Sequence, residues 1–363
     1  MSTATIGPAA LYEIRAVPTF QNCTYPSREA ARSCPKGNVV LVQDPRSGLV
    51  YNSAFDPSLM DYGPEYQNEQ ALSGAFRKHL EDVTGVVTRH LQGRSIIEVG
   101  CGKGYFLEWL VERGFDVVGM DPAYEGNNSR IIKEYFRPGG GRRAEGIVLR
   151  HVLEHVPDPV AFLSTIRDAN GGSGIVYIEV PGFDWICDRR AWFDVFYEHV
   201  NYFRPADFQR MFGEVLERGR LFGVQYIYVV ADLASLRTPV AEPSDLVRLP
   251  PDFLAGVDAQ AALVKASSGR GAAVWGGASK GVIFTLMMER AGATIDLVVD
   301  INPAKQGRYL PVTGAEVLSP QQATASLPAG ANIFVMNGNY LGEIRAATGD
   351  RYTYVPIDAV ASA

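Results

Sequence analysis

The sequence of 363 residues lacks several features that mark whole classes of protein. Its four cysteines, Cys23, Cys34, Cys101 and Cys187, are scattered and do not form the CxxC pairs of a zinc site or a redox dithiol. It has no run of about eighteen apolar residues, and its first residues do not combine a basic stretch with an apolar core. We therefore expect free thiols and a cytoplasmic protein without a membrane partner.

An excess of basic charge is also missing. Lysine and arginine number 34 against 40 acidic residues, which gives a net charge of −6. Broad electrostatic attraction to nucleic acid needs a basic face, so this balance favours a small-molecule substrate and no nucleic-acid partner. The sequence does not set the oligomeric state.

The length exceeds what one hydrophobic core usually supports, which predicts more than one domain. Strand-like and helix-like segments alternate along two separate stretches of the chain, a pattern typical of α/β domains with mainly parallel sheets. We expect an irregular N-terminal lobe, a first α/β domain that closes with an antiparallel pair within 221–233, a linker with a helix, and a second, smaller α/β domain. The expected ranges are, in that order, 1–70, 71–235, 236–268 and 269–363.

A glycine-rich turn, EVGCGKG at residues 98–104, follows a predicted strand and opens a predicted helix. Gly100 and Gly102 lie where the backbone must turn tightly and a ligand must approach closely. Asp121 ends the next strand, where a carboxylate can accept hydrogen bonds from ribose hydroxyls. Nicotinamide-binding proteins use a similar turn, although the GxGxxG fingerprint is absent, so this pattern alone leaves the cofactor open.

The ExGxGxG block, GMDP (119–122) and LEHVPDP (153–159) together resemble the class I S-adenosylmethionine (SAM)-dependent methyltransferases, which have a Rossmann-like domain. The resemblance implies SAM as cofactor and a site-shaping role for His155. It also implies a set of SAM-binding residues: Glu98, Gly100, Gly102, Asp121, Pro122 and His151.

Four further blocks resemble the C-methyltransferases that act on TDP-linked 4-keto-deoxyhexoses in antibiotic biosynthesis: YEHVNYF (197–203), WGGASKG (275–281), VVDINPAKQGRYLP (298–311) and NYLGEI (339–344). In that family a second Rossmann-like domain follows the methyltransferase domain. The resemblance implies that a base removes the proton next to a ketone and that the enolate then takes the methyl group.

The same resemblance implies roles for individual residues. His199 is the candidate base, Glu198 its orienting partner and Tyr66 a third catalytic candidate. The second domain is assigned to the nucleotide end of the sugar, because its GGASKG turn suits a phosphate. Candidate substrate contacts are Tyr62, Tyr202, Ser279, Lys280, Lys305 and Arg308.

Three departures from the family pattern stand out. Only Cys23 and Cys34 remain where the family has zinc-binding cysteine pairs, so we expect no metal. The family's Tyr-His-Glu-His tract reads Phe-Tyr-Glu-His at 196–199, and the asparagine expected after the Lys-Gly pair is Val282.

The sequence leaves other functions open. An O- or N-methyltransferase would use the same cofactor turn on a hydroxyl or an amine. A nicotinamide-dependent ketosugar reductase, or a nucleotide-binding protein without catalysis, would keep the two α/β domains.

Overall fold

A computed structural model describes residues 8–60, 73–267 and 270–359, which form three sheets. No helix in these ranges is long and apolar enough to cross a membrane. Strands and helices are numbered below in chain order.

The N-terminal lobe, expected to be irregular, instead contains an antiparallel sheet in the order β1-β2-β3-β9. Its first two strands pair with two register shifts, and its fourth strand comes from far downstream, so local sequence patterns do not reveal the sheet. The elements are β1 (Ala10–Pro18), α1 (Arg28–Arg32), β2 (Lys36–Gln43), β3 (Val50–Asn52) and β9 (Asn201–Tyr202).

The first α/β domain contains a seven-stranded sheet in the order β10-β11-β8-β7-β4-β5-β6. Its strands run parallel except for β11, which is antiparallel to both neighbours. The strands are β4 (Ser95–Val99), β5 (Asp116–Met120), β6 (Ile131–Ile132), β7 (Gly146–Arg150), β8 (Ile175–Pro181), β10 (Val215–Leu221) and β11 (Tyr226–Asp232). The helices are α2 (Gly74–Leu91), α3 (Tyr105–Glu112), α4 (Pro159–Ala169), α5 (Phe183–Asp188) and α6 (Pro205–Met211).

The antiparallel pair expected within 221–233 lies further upstream. The chain turns at 222–225, so only the second strand of the pair, β11, falls in that range. The first strand, β10, precedes the turn. The β10 sequence, VLERGRL, alternates half-buried and exposed positions at the edge of the sheet. Its three charged residues and its glycine are more typical of a loop, so the sequence pattern did not indicate a strand.

The second α/β domain has a fully parallel sheet in the order β14-β13-β12-β15-β16, which confirms the expected second Rossmann-like unit. Its strands are β12 (Ala272–Trp275), β13 (Leu297–Val299), β14 (Val317–Leu318), β15 (Asn332–Val335) and β16 (Thr353–Pro356). Its helices are α7 (Ala255–Ala266), α8 (Ser279–Arg290), α9 (Pro320–Ser326) and α10 (Leu341–Thr348).

One hydrophobic cluster joins the lobe, the segment after α5 and the second domain. Within it the rings of Trp192 and Phe284 stack, with their centroids 5.8 Å apart. Because Trp192 lies just upstream of His199 and Phe284 lies on α8, this contact packs the segment that carries the candidate base against the second domain.

Candidate active site

A cavity of 290 Å³ lies between the carboxyl ends of β7 and β8 and the β12–α8 turn of the second domain. Ligands of open α/β sheets bind at the carboxyl ends of the strands, so this cavity occupies the expected place in both domains. Its lining includes seven residues singled out from the sequence: His151, His155, Glu198, His199, Ser279, Lys280 and Lys305.

The glycine turn adopts a backbone conformation that favours glycine. Gly102 has a φ of +54°, and its N–H donates to Oδ2 of Asp121 over 2.8 Å. A Cβ added at Gly102 would meet no described atom within 4 Å, so the backbone borders open space where a ligand can approach. Asp121 also accepts from the N–H of Ala123, which fixes its carboxylate at the mouth of the turn beside the half-buried Pro122.

Glu98 lies beneath the glycine turn and is 3% exposed. Within the described parts of the chain, its Oε2 atom has no hydrogen-bond partner. Burial raises the pKa of this carboxyl to about 7, although Arg150 opposes the rise. An orphaned buried carboxylate beside an open glycine turn fits the amino-acid end of SAM, whose ammonium group would supply the missing partner.

His151 occupies a strained position at the end of β7, with a φ of +52°. Its Nδ1 lies 3.2 Å from Oε1 of Glu154, and its Nε2 lies 3.1 Å from Oε1 of Glu179. Burial lowers the pKa of His151, but these carboxylates prevail and raise it to about 9. An imidazolium is therefore held between two carboxylates. The ring borders the cavity. Both of its nitrogens already contact carboxylates, so the geometry does not favour a polar contact between this ring and the cofactor.

Glu179, in the middle of β8, is the centre of a polar network that the sequence analysis missed. It is fully buried, and besides His151 it contacts Nε2 of His79 at 2.8 Å, the hydroxyl of Tyr177 at 2.8 Å and the guanidinium of Arg150 at 3.3 Å. Burial works against its ionisation, yet Arg150 and the two histidines hold its pKa well below the usual range. A glutamate inside an apolar strand, IVYIEV, was the available signal.

His199 is 8% exposed and borders the cavity, where its ring lies 4.1 Å from that of Phe196 and 5.0 Å from that of His155. Burial, together with the nearby His155 and His151, holds its pKa well below the ordinary value. The ring is therefore neutral at neutral pH and able to accept a proton.

Glu198 makes contacts that differ from the expected one. Its Oε1 accepts the backbone N–H of Gln21 over 2.8 Å, and its Oε2 accepts the side chain of Asn22 over 3.5 Å. These bonds attach the segment of the candidate base to the N-terminal lobe. A different carboxylate, that of Glu154, lies near His199 and His155. One carboxylate oxygen of Glu154 and one ring nitrogen of each histidine lie within 4.8 Å of one another.

Tyr202, expected to contact substrate, is 3% exposed, and its hydroxyl bonds the backbone N–H and carbonyl of Phe196, both at 3.1 Å. It therefore holds the 196–199 segment in shape. Tyr62 and Tyr66 lie outside the described residues.

The wall supplied by the second domain contains Ser279, Lys280 and Lys305. The Lys280 ammonium pairs with Asp194 at 3.3 Å and lies 4.5 Å from the ring of Trp185. Lys305 is 3% exposed and lies 3.9 Å from Asp300, and burial lowers its pKa.

Arg308 is not among the residues that line the cavity. Its guanidinium donates to the carbonyl and the hydroxyl of Thr24, and so it attaches the second domain to the N-terminal lobe. The expectation of a substrate contact at Arg308 is therefore not supported by the described contacts.

The turn of the second domain repeats the geometry of the cofactor turn. The N–H of Gly277 donates to Asp300 over 2.9 Å, and the N–H of Asn302 donates to the other oxygen over 2.8 Å. Asp300 therefore occupies the position in this domain that Asp121 occupies in the first. A glycine turn closed by an acid from the next strand is suited to a nucleoside.

Comparison with known proteins matches a family model described as a methyltransferase domain to residues 72–215. A second model, described as a C-methyltransferase C-terminal domain, matches residues 258–351. The chain belongs to the SAM-dependent methyltransferases. The two matched ranges together include all cavity-lining residues except Asn22, Gln225 and Tyr226.

Among individual relatives, this methyltransferase is 23% identical to the C-methyltransferase NovU of Streptomyces niveus over 302 residues, 72% of either chain. It is 30% identical over 119 residues to a ubiquinone biosynthesis O-methyltransferase of Methylobacterium sp., a match that covers 28% of this chain and 46% of that protein. The chain thus spans less than half the length of such O-methyltransferases.

Solved structures align with less than half of this chain. The PH0226 protein of Pyrococcus horikoshii aligns with a TM-score of 0.36 and 13% identity over 45% of this chain and 93% of that one. The 1,6-didemethyltoxoflavin N1-methyltransferase of Burkholderia thailandensis aligns with a TM-score of 0.33 and 15% identity over 44% and 78%.

Proposed function

We propose that this methyltransferase transfers the methyl group of SAM to a carbon next to a ketone in a nucleotide-linked keto-deoxysugar. The step would belong to the assembly of a natural product or a surface sugar. The observation that carries the proposal is the position of His199, a buried neutral imidazole on the cavity between the cofactor domain and a second nucleoside-type turn.

SAM supplies a methyl group bound to a positively charged sulfur. Glu98 would bind its ammonium, Gly102 would let it approach the backbone, and Asp121 would accept its ribose hydroxyls. All three residues surround one turn, and Glu98 retains an unpaired oxygen in the described structure.

The second domain would hold the nucleotide end of the substrate. Asp300 and the Gly277 turn repeat the arrangement at Asp121, while Ser279 begins helix α8, whose first N–H groups suit an anion. Lys280 and Lys305 add positive charge on the same wall. A substrate bound there would reach across the cavity toward His199.

His199 would then take the proton from the carbon next to the ketone, and the electron pair would remain on the substrate as an enolate. Its low pKa keeps the ring deprotonated through the neutral range. Phe196, Tyr226, Trp275 and Met336 line the cavity with apolar surface, and exclusion of water there would protect the enolate until it attacks the methyl group.

The test uses purified protein, SAM and a TDP-4-keto-6-deoxyhexose, with NMR of the product. We expect a new carbon-bound methyl group, and we expect His199→Ala to lower turnover by about two to four orders of magnitude with little change in SAM affinity. A methyl group on oxygen or nitrogen would instead favour the O- or N-methyltransferase alternative. Reduction of the ketone with NADPH, with no transfer from SAM, would refute the proposal altogether.

A further inference from the structure

The proposed base requires a carboxylate to stabilise the positive charge that it acquires with the proton. Glu198, its neighbour in sequence, is bonded to the N-terminal lobe at Gln21 and Asn22. Glu154 lies near the imidazole, because a carboxylate oxygen of Glu154 and one ring nitrogen each of His155 and His199 lie within 4.8 Å of one another.

Glu154 is buried, and one of its carboxylate oxygens lacks a hydrogen-bond partner among the described residues. It is 1% exposed, Oε1 faces Nδ1 of His151, and Oε2 is buried with no hydrogen-bond partner among the residues that the structure describes. A buried carboxylate with an unmet oxygen carries a free-energy cost that a positive partner would relieve. His151, itself an imidazolium between Glu154 and Glu179, faces Oε1 of Glu154 and leaves the second oxygen without a partner among the described residues.

The backbone holds Glu154 and His199 together. The N–H of Val200 donates to the carbonyl of Glu154 over 2.7 Å, and Nδ1 of His155 lies 2.9 Å from the carbonyl of Glu198. These two bonds join the 153–155 turn to the segment on both sides of His199. The imidazole therefore has a fixed position relative to the carboxylate.

We propose that Glu154 is the carboxylate partner of His199 and acts as a positioning residue for proton removal, a role that rests on the proposed function. When the substrate C–H bond breaks, its proton passes to a ring nitrogen of His199 and the electron pair stays on the substrate. The resulting imidazolium and Glu154 form an ion pair, and the proton leaves to water after methyl transfer.

Several other titratable groups lie near this ring and bear on the expected effect of pH. His155 and His151 come from the same turn as Glu154, Tyr202 faces the ring from β9 at 6.3 Å, and Glu198 precedes it in the chain. The two histidines make protonation of His199 harder, whereas a negative charge on Glu154 would favour it. Loss of the Glu154 charge should therefore weaken the base and move the acid limb of the rate profile to lower pH.

The experiment follows exchange of the proton next to the ketone with solvent deuterium, using the full chain, S-adenosylhomocysteine and a TDP-4-keto-6-deoxyhexose between pH 5 and 9. We expect Glu154→Gln to slow exchange at least about tenfold and to lower the pH of the acid limb, with Glu154→Asp recovering part of the rate. We expect Glu198→Gln to leave the position of that limb unchanged.

A double-variant cycle separates this inference from the proposed function. If Glu154 acts through His199, the pair Glu154→Gln with His199→Ala should exchange no more slowly than His199→Ala alone. Further slowing in the double variant, or an acid limb that moves with Glu198→Gln but not with Glu154→Gln, would overturn the inference and leave the base intact. Normal exchange in His199→Ala, or none in the unaltered protein, would overturn the proposed function and with it this role.

Discussion

Replacing Glu98 with glutamine should stabilise the folded protein without SAM and weaken its binding of SAM. Glu98 is 3% exposed and its pKa lies near 7 instead of 4.5, because burial penalises the charged form. At about 1.4 kcal/mol per pKa unit, this difference corresponds to roughly 3 kcal/mol of stability lost once the carboxyl is ionised.

The sign of the pH dependence follows from proton binding. Between pH 4.5 and 7 the folded state holds a proton on Glu98 that the unfolded chain has released, so rising pH favours unfolding. Glutamine does not titrate. The stability difference between Glu98→Gln and the unaltered protein should therefore grow by up to about 3 kcal/mol from pH 4.5 to pH 8.

Urea unfolding at several pH values measures this difference, and calorimetry measures SAM affinity. Glu112→Gln is the matched control, because Glu112 is 76% exposed at the end of α3 and should show no such trend. A difference that does not change with pH would refute the assignment of a buried, costly carboxyl. Unchanged SAM affinity would refute its role as the ammonium partner.

Three further predictions concern the scaffold around the site. Glu179→Gln should lower the free energy of unfolding by about 3–5 kcal/mol, because Arg150 would remain buried without its partner. Asp82→Asn, which removes an exposed pair with Lys78, should cost less than about 1 kcal/mol, and equal losses in urea unfolding would contradict this. Gly281→Ala should destabilise the second domain by about 1–3 kcal/mol or more and lower the melting temperature, because the added Cβ would clash with the carbonyl oxygen of Gly276. The control is Gly342→Ala, whose added Cβ would meet no described atom within 4 Å. This variant should leave the melting temperature unchanged or raise it. Asp121→Ala removes the acceptor for the N–H of Gly102 and should weaken SAM binding about tenfold or more by calorimetry; unchanged affinity would remove Asp121 from the cofactor site.

The sequence by itself determined the two-domain α/β plan and the cofactor turn. Strands β4 (SIIEV) and β7 (GIVLR) are mostly apolar, as buried strands of parallel sheets are, and the glycines at 100 and 102 closely follow β4. Such local features are readable because backbone turning and strand burial depend on residues next to one another. The family resemblance of the C-terminal blocks is borne out by the matching C-terminal domain model.

Only the tertiary structure decided which charges meet at the cavity. Glu198 precedes His199 in the chain, yet its carboxylate bonds Gln21 and Asn22 of the N-terminal lobe, while Glu154 approaches from the end of another strand. The pairs Lys280–Asp194 and Arg308–Thr24 likewise connect separate domains. Long-range partners depend on how sheets and domains pack, and no local period or spacing encodes that packing. For this reason the sequence indicated the base, and the fold was needed to show the carboxylate beside it.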